Sequence, residues 1–121
     1  MNTPNERGPE MTEAERRLRI RTLNDAFRTT FIGGQVMLTQ GIQALGSRVV
    51  YDLIQAIQSY DDFTKDNDPH GEHDFGAFTA EGRKIFWKID CYDEAMTVGS
   101  DDPTDPTKTT RVLTIMLAEE Y

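Results

Sequence analysis

The two histidines of the chain lie three residues apart in a polar segment, DPHGEHD (68–74). Two imidazoles at this spacing can bind one metal ion if the backbone turns between them, and Gly71 permits such a turn. The spacing differs from that of zinc proteases, whose helices carry His at i and i+4. The EF-hand pattern also fails, because His70 and Ala77 occupy its fifth and twelfth positions. A divalent metal held by His70, His73 and Asp90 is one hypothesis, although the pattern requires no cofactor.

A hairpin is predicted to place one of these histidines opposite a carboxylate. Residues 73–79 and 84–92 are predicted strands joined by a tight turn at Glu81-Gly82. In this register the pairs sum to 163, so Gly76 faces Trp87 and the missing side chain leaves room for the indole.

The same register puts His73 opposite Asp90, with Lys88 two residues along. An imidazole beside a carboxylate can act in acid–base catalysis, so His73, Asp90, Lys88 and Glu72 are candidate catalytic residues. Two other interpretations remain open. The pair could be an ordinary cross-strand ion pair beside a turn, or it could contact a partner.

The charge of the chain is strongly negative and unevenly distributed. It carries 13 basic and 21 acidic residues, for a net charge of −8. Residues 1–60 have a net charge of +1 and residues 61–121 a net charge of −9. This balance argues against direct binding to nucleic acid or an anionic membrane. Its acidic half could be a solvated surface, a cation site, or a surface that docks on a basic protein. The candidate docking residues are Asp61, Asp62, Asp66, Asp68, Asp101, Asp102 and Asp105.

The cysteine content and the lengths of the apolar runs exclude some classes of protein. A single cysteine, Cys91, excludes an intrachain disulfide. We expect Cys91 to point into the core and to be unreactive. Apolar runs are too short to span a bilayer, and residues 1–10 lack the apolar centre of a signal peptide. A cytoplasmic location without membrane contact is therefore expected.

Residues 1–11 are predicted to be a disordered lead-in, and 12–121 a single domain. A capping box at Thr12 and Glu15 predicts a helix over 13–30. A cluster of arginines on this helix could bind phosphate, but a solvated helix face is the favoured interpretation: Arg16, Arg17, Arg19 and Arg21.

A second helix, about 48–60, is predicted after an N-cap at Ser47. Its apolar stripe follows helical spacing: Val50, Leu53, Ile54 and Ile57. Residues 36–39 are a candidate strand, and 93–110 a long loop. Residues 111–121 have mixed propensities. We expect a helix there, because Asp105-Pro106 resembles a helix start.

Several stretches resemble a bacterial family of unknown function. They are DDFTKDNDPHGEHDFGAF (61–78), FWKIDCYD (86–93) and TRVLTIMLAEEY (110–121). The stretches RIRTLNDAFRTT (19–30) and GGQVMLTQGI (33–42) are similar too, so the resemblance covers residues 19–121. The family is found in alphaproteobacteria, often on plasmids and other mobile regions. The resemblance implies no activity or catalytic residue. Cys91 stands where the family pattern has an aromatic residue, as in KIDYYD.

These observations predict an α+β fold, with a small antiparallel sheet centred on the hairpin and two or three helices on one face. The predicted function is a small acidic binding protein, an inhibitor or modulator of a host defence or nucleic-acid-handling protein. The alternative is a metal-dependent or acid–base enzyme using His70, His73 and Asp90.

Overall fold

A computed structural model describes residues 10–121. The predicted lead-in over 1–11 therefore lies almost entirely outside the described residues. Helix α1 spans Glu13–Thr30. Its capping box forms as predicted, because the Glu15 amide donates to the Thr12 hydroxyl (3.1 Å) and the Thr12 amide to the Glu15 carboxylate (2.8 Å).

Seven further elements follow α1. They are β1 (Gly34–Leu38), α2 (Gln40–Gln43), α3 (Ser47–Gln58), β2 (Phe75–Ala80), β3 (Arg83–Tyr92), β4 (Thr110–Leu117) and a C-terminal 3-10 turn (Ala118–Glu120). The predicted N-cap of α3 is wrong by one residue. Gly46 occupies the cap position and Ser47 is the first helical residue.

No helix in residues 10–121 is long and apolar enough to cross a membrane.

The four strands form one sheet in the order β1-β4-β3-β2. The β2–β3 hairpin has the predicted register, with Gly76 opposite Trp87 and Phe75 opposite Lys88. A Cβ at Gly76 would collide with the indole of Trp87, so a glycine is required at this position. Strand β4 is antiparallel to β3 and parallel to β1, which makes the sheet mostly antiparallel.

The helix expected over 111–121 is wrong, because most of this segment is β4. β4 lies between β1 and β3, so its backbone is hydrogen-bonded on both sides. Six of its eight residues are buried. Alternation of apolar and polar residues is therefore weak, as expected for a central strand.

The helices pack against one face of the sheet and enclose the core, which confirms the α+β class. Trp87 is fully buried at its centre, and Leu53 and Ile57 of α3 pack with it. Val50 and Ile54, the other predicted members of the α3 stripe, are half-buried at the margin of this core. The opposite face of the sheet carries no helix among the described residues.

Candidate functional site

His73 lies just outside the hairpin ladder, which ends at Phe75. Its backbone is in the left-handed region, with a φ of 55°. The imidazole stacks on Phe63, with the ring centroids 3.7 Å apart and the planes 4° apart. Its Nδ1 lies 2.9 Å from a carboxylate oxygen of Asp25 on α1. An ionised carboxylate only accepts, so Nδ1 carries a hydrogen that it donates to Asp25.

The predicted pairing of His73 with Asp90 is therefore wrong. Asp90 instead accepts from the ammonium of Lys88, at 2.6 Å. Trp87 and Ile89 point into the core, so Lys88 and Asp90 lie on the helix-free face of the sheet. His73 lies on the helix side of the sheet because the backbone turns at this residue, just before β2 begins. The predicted catalytic residues thus divide between two faces.

Asp68 is an internal residue that shapes the turn before His73. Only 8% of its surface is exposed. Its carboxylate accepts from the backbone amides of Glu72 (3.0 Å) and His73 (3.2 Å). It also lies 3.8 Å from Nε2 of His73. The prediction that Asp68 contacts a partner is wrong, because this side chain is occupied within the fold.

Asp25 links His73 to the buried guanidinium of Arg28. Arg28 is 4% exposed and donates to Asp25 (3.0 Å) and to the carbonyl of Ile57 (2.9 Å). Its guanidinium also lies 5.4 Å from the ring centre of Phe63. This network joins α1, the end of α3 and the 61–74 loop. Apart from Nε of Arg28, which has no hydrogen-bond partner, its polar groups are bound within the fold, which is an arrangement suited to fixing the loop.

His70 lies in different surroundings from His73. It is exposed and lines a hollow of about 130 Å³ with Arg16, Arg17 and Glu72. Burial, followed by repulsion from Asp74, raises the pKa of Glu72. Within residues 10–121, no group of three or more His, Cys, Asp or Glu side chains is placed to hold a metal ion.

The arginines of α1 stay exposed or half-exposed, in keeping with a solvated face, but three of them also contact loops, which the sequence did not predict. Arg19 donates to the carbonyl of Thr104 (3.1 Å), and Arg21 to the carbonyl of Gly71 (2.7 Å). Arg16 lies 4.0 Å from Asp102. Helix α1 therefore fastens both irregular segments, 61–74 and 93–109, to the sheet.

A buried pair that sequence reasoning missed adds to this attachment. Asn24 accepts from the guanidinium of Arg111 (2.7 Å) and donates to the carbonyl of Glu72 (2.9 Å). Arg111 also donates to the carbonyl of Pro103 (2.7 Å). Asn24 interrupts an apolar stripe, between Ile20 and Phe27, and this break in the pattern was the available signal.

The 93–109 segment forms an acidic hollow of about 340 Å³. It is lined by Asp93, Glu94, Ala95, Asp101 and Lys108. Asp93 accepts from the backbone amide (2.9 Å) and hydroxyl (3.0 Å) of Thr97, and these bonds lower its pKa. Asp101, a predicted docking residue, is exposed in this hollow.

The other predicted docking residues fall into two groups. Asp102 and Asp105 are partly exposed, and each accepts hydrogen bonds from a threonine two residues along, which lowers its pKa. Asp61, Asp62 and Asp66 are exposed on the 61–74 loop.

Cys91 is half-buried on β3, opposite Arg111 of β4. Burial raises the pKa of its thiol, and the neighbouring guanidinium only partly offsets this effect. A raised pKa leaves little thiolate at neutral pH, so this environment disfavours nucleophilic chemistry.

Comparison with known proteins places the chain in a family but gives it no activity. No curated protein and no solved structure matches it. A family model does match, over residues 38–120, and its description is Protein of unknown function (DUF3768). The match runs from the end of β1 through the 3-10 turn, and the chain belongs to this family.

Proposed function

We propose that this protein is a non-catalytic binding protein that docks on a basic protein surface through the acidic hollow of residues 93–101. In this proposal it inhibits or modulates a host defence or nucleic-acid-handling protein, whose basic face it occupies. A mobile-element origin, suggested by the family resemblance, fits that role.

The observation that carries the proposal is the hollow itself. Its volume, about 340 Å³, is at the small end of the range for ligand sites. Carboxylates from Asp93, Glu94 and Asp101 line it, with Lys108 at its margin. A concave surface with one dominant sign of charge favours an inserted side chain of opposite charge. A lysine or arginine of the partner matches this requirement.

The hollow is held in shape before any partner binds. Hydrogen bonds from Thr97 hold Asp93 in place and lower the pKa of its carboxyl group from the ordinary value. Arg19 and Arg111 bind the carbonyls of Thr104 and Pro103 in the same 93–109 segment. A preformed loop loses less conformational freedom on binding than a flexible one.

The surface is more acidic than the composition alone indicates. Two cations, Arg28 and Arg111, are buried, whereas among residues 10–121 the one buried carboxylate is Asp68. Asp61, Asp62 and Asp66 are further exposed carboxylates on the 61–74 loop. Such a surface speeds encounter with a basic protein and repels nucleic acid.

The enzyme alternative needed His70, His73 and Asp90 in one site. They occupy three different environments, so no observation favours that function.

The test compares two double charge reversals. Glu94→Lys/Asp101→Lys changes the hollow, and Glu81→Lys/Glu119→Lys makes the same charge change at two exposed positions elsewhere. Each protein is immobilised and exposed to host lysate at low salt. Captured proteins are identified by mass spectrometry and then purified.

We expect a basic protein to bind the wild type and the control. Its association rate should fall on the order of tenfold with Glu94→Lys/Asp101→Lys, and the salt dependence should flatten. Equal association rates for the two double variants would show that the hollow is not the docking site. An acidic partner would contradict the proposal as a whole.

A further inference from the structure

Strand β1 is an edge strand with hydrogen-bonding groups that face outward. The amide of Thr39 donates to Ile115 of β4, at 3.1 Å. In a parallel ladder bonded residues alternate, so Gln35 and Met37 also bond to β4. The backbone groups of Gly34, Val36 and Leu38 therefore face away from the sheet.

Within residues 10–121, one bond reaches this outer edge. The side-chain amide of Gln43 donates to the carbonyl of Leu38, at 2.9 Å. At the other edge of the sheet, the hydroxyl of Tyr60 accepts from the amide of Ala77 on β2, at 3.3 Å. The β2 edge is thus partly covered, while the N–H and C=O of Val36 remain available to another strand.

An apolar groove of about 390 Å³ runs beside this edge, between β1 and α3. Its lining is Leu38, Gln43, Ser47, Val50, Tyr51 and Ile54. The side chain of Tyr51 is conspicuous, because the residue is 62% exposed. Ile32 and Met37 are also exposed near the strand. An uncharged edge strand beside apolar surface is typical of a site that adds a strand.

The charge distribution indicates which strand would pair with the free edge of β1. Residues 29–60 contain two charged side chains, Arg48 and Asp52, and have no net charge. Two molecules of net charge −8 repel each other least where they meet on such a neutral side. Arg48 and Asp52 are one helical turn apart on α3, so two α3 helices related by a twofold axis present opposite charges to each other.

We propose that the protein forms a twofold dimer in which β1 pairs antiparallel with β1 of a second copy. Val36 pairs with Val36 of the second copy, and Gly34 pairs with its Leu38. All three residues with outward groups then fall in hydrogen-bonded pairs. The two four-stranded sheets become one continuous sheet, and the α3 grooves meet across the axis. Gln35 faces Met37 of the second copy on the helix-free side.

The first test is sedimentation equilibrium of the 121-residue chain over a range of concentrations. We expect a mass approaching twice 13.8 kDa at high concentration. Tyr51→Glu should weaken the dimer on the order of tenfold or more, because it places charge in the shared groove. Leu18→Glu, at a similarly exposed position on α1 (55% against 62%), should leave the dimer unchanged. Circular dichroism verifies that both variants are folded.

The response to salt distinguishes this dimer from the proposed complex with a basic partner. Salt screens repulsion between two acidic copies, so it should strengthen the dimer and weaken the basic complex. Either proposal can thus fail while the other stands.

The second test fixes the register. Gln35→Cys/Met37→Cys places thiols opposite each other across the axis, at a separation that a disulfide can bridge. We expect oxidation to yield a covalent dimer from this variant and much less from Gln35→Cys alone. Cys91 is present in both and does not bias the comparison. A monomer at every concentration, or a dimer that keeps its strength in Tyr51→Glu and does not crosslink, would overturn the proposal. So would binding of a foreign extended peptide by a monomer.

Discussion

At the scale of the residue, the left-handed backbone of His73 decides where its imidazole lies. An extended residue there would share a face with Phe75 and meet Asp90, as the strand alternation predicts. A φ of 55° costs about 1–2 kcal/mol for a non-glycine residue. Stacking on Phe63 and the bond to Asp25 offset this cost.

Asp25 is the residue whose removal should most disturb this network. Asp25→Ala removes the acceptor of both His73 and the buried Arg28. We expect a loss of about 1–3 kcal/mol in the free energy of unfolding, measured in urea at neutral pH. Asp25→Asn keeps one oxygen acceptor and should lose less. Values for both variants within about 0.5 kcal/mol of the wild type would contradict a stabilising role.

Glu72 and Asp74 should instead destabilise the fold at neutral pH. Burial, and for Glu72 also repulsion from Asp74, raises their pKa values above the ordinary 4.5 and 3.8. The folded chain then binds protons more readily than the unfolded chain, so stability increases as pH falls through the folded pKa values. Above them the ionised carboxylates oppose folding.

Glu72→Gln/Asp74→Asn should therefore unfold at a higher urea concentration than the wild type at neutral pH. The difference should shrink towards about pH 3, where both carboxyls are protonated in either state. Glu81→Gln/Glu119→Gln changes two exposed carboxylates and is the matched control. A gain that is the same at both pH values would contradict this explanation.

At the scale of the element, local patterns predicted α1, α3 and the hairpin, because spacing and caps are contained within each segment. The partners of the α1 arginines were not predictable this way. Arg19 and Arg21 bind carbonyls 85 and 50 residues away in the chain. The prediction of a helix where β4 lies failed for the same reason, since the strand conformation of this segment depends on pairing with both β1 and β3.

The candidate site, like the fold, was predictable from the sequence only in part. Composition predicted an acidic docking surface that includes Asp101, which lines the hollow. It could not distinguish Asp101 from the buried Asp68, because both are aspartates in polar loops. Only the folded turn, which aims two backbone amides at Asp68, separates them.

The α3 stripe permits a test of the core. Leu53 is 1% exposed, so Leu53→Ala should cost about 2–5 kcal/mol through lost burial and a cavity. Val50→Ala, at the margin of the core, should cost clearly less. Urea unfolding of both variants measures the difference. Equal losses would mean that α3 packs differently from this arrangement.

At the scale of the whole molecule, the excess of negative charge should make stability depend on salt. A net charge of −8 opposes a compact state through self-repulsion. Salt also weakens ion pairs such as Arg28–Asp25, but pairs with a buried member are screened less than exposed charges. Relief of repulsion should therefore dominate.

We expect the free energy of unfolding, and with it the melting temperature, to increase between about 0.01 and 0.15 M sodium chloride, as the Debye length falls from about 30 to 8 Å. Asp61→Asn/Asp62→Asn/Asp66→Asn removes three exposed charges and should reduce the salt dependence. Choline chloride, whose cation is too bulky for small sites, should act like sodium chloride if screening is the cause. Stability that falls with salt would instead show that internal ion pairs outweigh the net charge. A response to sodium but not to choline would indicate a bound cation.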